Sequence, residues 1–147
     1  MRKRTSLLSV LLLVGLLPAW AIAQELPYRE GPVVNVTQIR VKEGKFFDYW
    51  SFLENRWRPV MEEAKRQGII VSYGVLTAEP RTPQEPNLVL VITSPNMASF
   101  DGIDAKYAAI EQKMFGLSPQ KAATESGERD AIRTVLGSEL YRALEFK

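Results

Sequence analysis

The stretch Asn55–Leu76, NRWRPVMEEAKRQGIIVSYGVL, joins a helix rich in aromatic residues to a β-branched segment through a single glycine. Upstream, Phe46, Trp50, Leu53, Trp57, Val60, Met61 and Ala64 recur at helical spacing and form one apolar stripe, while Glu54, Arg58, Glu62, Lys65 and Arg66 lie elsewhere on the wheel. Pro59 interrupts this pattern. It has no N–H for the carbonyl of residue 55 and its ring crowds that carbonyl, so a bend or a break into two helices is predicted there. Gly68 supplies the left-handed stop. Beyond it, Ile69–Ala78 reads as a strand.

Working outward, Val33–Val41 (VVNVTQIRV) is a predicted first strand, and Gln24–Pro32, with two prolines and a glycine, an irregular lead-in. The Asn35-Val36-Thr37 triplet is read as part of that strand. After the proline-rich EPRTPQEP, Asn87–Ser94 is apolar on both alternating sets, as in a strand covered on both faces. Ser94-Pro95 resembles a helix cap, and Ile103, Tyr107, Ile110 and Met114 mark a second helix ending near Gly116. Ser118-Pro119 opens further helix to about Leu136, weakened at Gly127 and closed by Gly137. The last segment, SELYRALEFK, is a fourth strand with Arg142 on a side otherwise held by Leu140, Leu144 and Phe146.

The first 23 residues have the three-part layout of a secretory signal. Arg2, Lys3 and Arg4 precede an apolar run from Leu7 to Leu17, and Ala21-Ile22-Ala23 offers a cleavage site after Ala23. That run is shorter than the roughly 20 apolar residues a spanning helix needs, so no stable membrane insertion is expected after processing. A periplasmic or secreted location follows, with a retained N-terminal anchor as the alternative reading of the same segment. Removing residues 1–23 takes three of 19 basic residues and none of 17 acidic ones, leaving a net charge of −1. Nucleic acid, which calls for a clustered basic face, is not an expected partner.

Cysteine and histidine are both absent from the 147 residues. An exported chain without disulfides must be held by its core. Lack of histidine removes the Ser-His-Asp triad, a histidine base, and histidine ligands for zinc or haem. Glu62 and Glu63 are adjacent on a helix and diverge, and Asp101 and Asp104 sit where acids suit a helix start. No metal or other cofactor is expected.

The order β-α-β-β-α-β is the ferredoxin-like arrangement, an α+β fold with helices on one face of a four-stranded antiparallel sheet. The other face is apolar enough to need cover, which a second copy of the chain provides. Here the chain resembles the dimeric α+β barrel superfamily, which includes antibiotic-biosynthesis-type monooxygenases and NIPSNAP-like proteins. The resemblance spans Val33 to Phe146 and rests on element order with WRPVMEEAK and GIIVSYGV, which look like exported bacterial members without assigned activity.

What the resemblance implies is a homodimer and a ligand pocket between sheet and helices, lined from the first helix and second strand. On the helix reading Trp50 and Trp57 face that side, with Tyr73 beside them; core aromatics and ligand contacts fit them equally in composition. Arg142 either pairs with Glu139 or Glu54, or awaits an anionic or phenolic ligand. Asn35 is placed by the resemblance alone, as a side chain that could orient a ligand. Two functions follow: a binding or interaction module for an apolar or aromatic small molecule, and a cofactor-independent monooxygenase or isomerase acting on a phenolic or quinol-like compound. Haem degradation is excluded by the missing histidine.

Overall fold

The computed structural model describes residues 25–147; the signal segment 1–23 and its cleavage site lie outside the described residues. Strand β1 (Tyr28–Val41) leads into α1 (Phe46–Phe52), a π-helical segment (Leu53–Trp57) and α2 (Arg58–Arg66). Next come β2 (Ser72–Thr77), β3 (Leu88–Ser94), a 3₁₀ turn (Met97–Phe100), α3 (Ile103–Phe115), α4 (Pro119–Glu128), a second 3₁₀ turn (Arg129–Ala131) and β4 (Arg133–Phe146). The sheet order is β2-β3-β1-β4 with every neighbouring pair antiparallel, so the fold is ferredoxin-like α+β.

Pro59 does break the helix, by a particular device. The residues just before it widen into one π-helical turn and Pro59 then sits in the first turn of α2, where a missing N–H costs little. An extra residue in a helix rotates what precedes it by about 100°. The apolar stripe expected across Phe46 and Trp50 is therefore corrected upstream of the π turn. Tyr49 is buried at 2% exposure, whereas Trp50 is 44% exposed. Downstream, Val60, Met61 and Ala64 are buried as the spacing predicts.

Three boundaries also move. Strand β1 begins at Tyr28, not Val33, because β4 is long enough to pair with it from Phe146 back to Arg133. Gly31 and Pro32 fall at a bulge in that ladder, where a missing donor is tolerated. Arg133–Leu136, expected as helix, is the start of β4, and Gly137 adjoins the second bulge instead of closing a helix. Ser94 ends β3 and caps nothing; α3 follows Gly102, which takes a left-handed φ of 65°. Ser118 does cap α4, its Oγ accepting the Lys121 N–H at 3.3 Å.

Strand alternation sorts the sheet into two faces. Ile39, Val41, Leu88 and Leu90 meet Tyr49 and Leu53, and farther along Tyr73 and Ile92 meet Val60, Met61, Ala64 and Ile110. Trp57 touches both clusters. The opposite face, carrying Val34, Val36, Val89, Val91, Leu76 and Tyr141 by register, has no helix over it. Strand β3 is thus covered on one side only: Leu88, Leu90 and Ser94 are buried, and Val89 and Val91 are part-exposed.

Candidate functional site

Polar residues interrupt the inward, apolar stripes of two paired strands near one end of the sheet. In β1 the inward set runs Val33, Asn35, Thr37, Ile39; in β3 it runs Leu88, Leu90, Ile92, Ser94, with Asn35 opposite Ile92 and Val33 opposite Ser94. Above them lies the first part of α3. Asn35, Ile92 and Ser94 form the floor, and Phe100, Ile103, Asp104 and Tyr107 the roof, of a cavity of about 250 Å³. Its volume falls just below the roughly 300–1,000 Å³ of drug-sized ligand pockets.

Asn35 is held from below: its Oδ1 accepts from Thr37 Oγ1 at 3.4 Å, and that hydroxyl lies 2.9 Å from Ser138 Oγ on β4. The Asn35 amide N–H groups are left to point elsewhere. Ser94 is 2% exposed and lines the cavity, so its hydroxyl is screened from bulk water. Burial raises the Tyr107 phenol above its ordinary value of 10, which keeps it neutral at physiological pH and makes it a donor instead of a base. An amide, a hydroxyl, a phenol and a carboxylate therefore converge on a space otherwise walled by Ile92, Phe100 and Ile103. That arrangement can hold a compact, partly apolar molecule by several directional hydrogen bonds.

The three aromatic candidates come together elsewhere. Trp50, Trp57 and Tyr73 line a separate cleft with Leu53, Glu54 and Val75, of about 80 Å³. Trp57 and Tyr73 pack edge to face, 5.3 Å apart at 84°, and Trp50 stacks on Phe46. The Tyr73 hydroxyl donates to the Glu62 carboxylate, and burial together with that bond and charge raises its pKa. This cleft is small because the rings fill it themselves.

Arg142 lines neither space. It pairs across the β1–β4 ladder with Glu30, not with Glu139 or Glu54. Glu139 is one strand position out of phase with Asn35's partner Leu140 and so lies on the other face, where it accepts from Gln38 and Tyr141. The five candidates thus occupy three places: Asn35 in one cavity, Trp50, Trp57 and Tyr73 in another, and Arg142 at the sheet margin.

Sequence reasoning assigned Ser94 to a helix cap, Asp104 to a helix dipole and Tyr107 to a core stripe. The available signal was a polar residue in the inward stripe of each of two adjacent strands, Asn35 and Ser94, at diagonal positions of the register. Among the described residues no three carboxylates converge into a metal-binding cluster, and no helix is long and apolar enough to cross a membrane.

No family model matches the chain, and no curated protein does. Among solved structures it is similar to HapK from Hahella chejuensis, at 14% identity and a TM-score of 0.48, covering 74% of this chain and 90% of that one. It is likewise similar to a dimeric ferredoxin-like protein from an uncultured marine organism, at 12% identity and a TM-score of 0.48, covering 79% of this chain and 95% of that one.

Proposed function

We propose that this protein binds a small molecule in the cavity beside Asn35 and works as an exported homodimer. The carrying observation is the partly open 250 Å³ cavity whose lining sets an amide, a hydroxyl, a phenol and a carboxylate among apolar walls. A ligand with an aromatic or otherwise apolar body and both donor and acceptor groups matches it. Binding is favoured over oxygenase or isomerase chemistry because the side chains such a reaction would call on are dispersed over three places.

Self-association is supported by the uncovered sheet face. Leu76 and Tyr141 are 57% and 51% exposed beside the part-exposed Val34, Val36, Val89 and Val91, and a second copy of the same face would remove that surface from water. Export is supported by the charged, apolar and small-residue segments of residues 1–23; N-terminal sequencing of secreted protein should begin at Gln24.

The test is a fragment screen on residues 24–147, using compact aromatic molecules with one donor and one acceptor, read by thermal shift and protein-observed NMR. Hits are expected to move resonances of Asn35, Ser94 and Tyr107, and Asn35→Leu, similar in volume but without the amide, is expected to weaken them at least tenfold. Hits unaffected by both Asn35→Leu and Ser94→Val would overturn the assignment.

A further inference from the structure

The loop after α4 holds a guanidinium that the fold does not pair. Arg129 lies over the Phe52 ring, 4.2 Å from its centroid, and its Nε is buried without a hydrogen-bond partner among the described residues. Neighbouring acids are engaged elsewhere: Glu125 with Arg56 at 2.9 Å and Asp130 with Arg133 at 3.3 Å. Glu111 on α3 is half-buried here as well, and it has no ion-pair partner among the described residues. Burial and the charge of Arg133 lower the Arg129 pKa, and the weaker opposing pulls of Tyr49, Glu125 and Glu111 do not reach salt-bridge contact.

Between them is space. A shallow mouth bordered by Phe52, Arg56, Glu128, Arg129 and Ile132 leads to an inner cavity of about 90 Å³. Arg129 and Glu111 both line that cavity with Arg56 and Glu125, and Trp57, Met61 and Leu117 add apolar walls. The π-helical turn contributes Arg56 and Trp57, and such turns recur at functional sites. A guanidinium partly withdrawn from water, with a buried Nε that meets no acceptor, favours a ligand that supplies one. A simple anion would meet Glu111, Glu125 and Glu128, and a simple cation would meet Arg56 and Arg129. A molecule carrying both charges meets neither penalty.

We infer that the cleft between the π-helical turn, α3 and α4 is a second ligand site, independent of the Asn35 cavity, for a small zwitterion with an apolar side chain, such as an apolar α-amino acid. Its carboxylate takes the Arg129 guanidinium, its ammonium takes Glu111, and its side chain enters the space beside Met61 and Leu117. Three probes sharing one side chain test this: leucine, 4-methylpentanoate, which keeps only the negative charge, and isoamylamine, which keeps only the positive one. Binding to the mature chain is followed by calorimetry and tryptophan fluorescence.

Leucine is expected to bind at least tenfold more tightly than either analogue. Arg129→Met and Glu111→Gln should each remove the preference, while Asn35→Leu leaves it unchanged. Ala122→Leu, which narrows the inner cavity without touching either charge, should exclude leucine. Equal binding of leucine and 4-methylpentanoate, no binding at millimolar concentration, or leucine binding abolished by Asn35→Leu would each refute the site.

Discussion

Ile110→Ala is expected to loosen the roof of the Asn35 cavity as well as the core. Ile110 is the one buried residue of α3, at 1% exposure, and it packs among Val60, Met61, Ala64 and Ile70. The same helix supplies Ile103, Asp104 and Tyr107 to the cavity, so this contact anchors one wall of the site. Truncation removes three carbons, about 2.4 kcal/mol at ~0.8 kcal/mol each. A residual void brings the expected loss to about 3–4 kcal/mol, within the range for buried isoleucine to alanine. For a domain of this size that corresponds to roughly 10–15 °C in Tm. Urea denaturation at fixed protein concentration measures the loss, and hydrogen exchange locates it: amides of α3 should lose protection well before those of β1 and β3. Met114→Ala on the same helix, where the side chain is 40% exposed, should cost about 1 kcal/mol or less. An Ile110→Ala loss below about 1.5 kcal/mol, or exchange that quickens equally in α3 and the central strands, would refute the view that this one side chain docks the helix.

Two further outcomes follow from the same contacts. Glu63 accepts from Arg66 and Gln67 and reaches Lys113 at 3.5 Å, and the Arg66 bond above all lowers its carboxyl from 4.5 to about 2. A depressed folded pKa gives stability that is present above the unfolded value and lost as pH falls through the folded one. Acid unfolding should therefore steepen between pH 4.5 and 2, and Glu63→Gln should flatten that part of the profile in pH-dependent denaturation. Val91→Lys puts a charge at the centre of the uncovered sheet face; sedimentation should show a dimer become a monomer of unchanged circular dichroism, and a variant that still sediments as a dimer would remove that face as the interface.

The parts of the fold legible in the chain are those set by neighbouring residues. Gly68 and Gly116 close their helices at φ of 73° and 66°, because a glycine tolerates the left-handed geometry that other residues resist. Ser118 caps α4 with its own hydroxyl. Pro59 announces a break in any context. The site was less legible. Asn35 was found, through resemblance, but its companions Ser94 and Tyr107 were each explained by a local role that suits such residues in most proteins. Trp50 and Trp57 share a helix and a cleft with Tyr73, yet that cleft is largely filled by their own rings.

The chain alone therefore determined the order of strands and helices, since periodicity, caps and breakers act over a few residues. Tertiary structure decided which side of each element faces inward and which candidates meet. A single π-helical turn exchanged Tyr49 for Trp50 in the core. Pairing with a 14-residue β1 drew Arg133–Leu136 out of a helix and into β4. Strand alternation, read across residues 59 positions apart in the chain, set Asn35 and Ser94 in one cavity and sent Glu139 to the opposite face. Such outcomes depend on contacts between distant segments, and no local pattern encodes them.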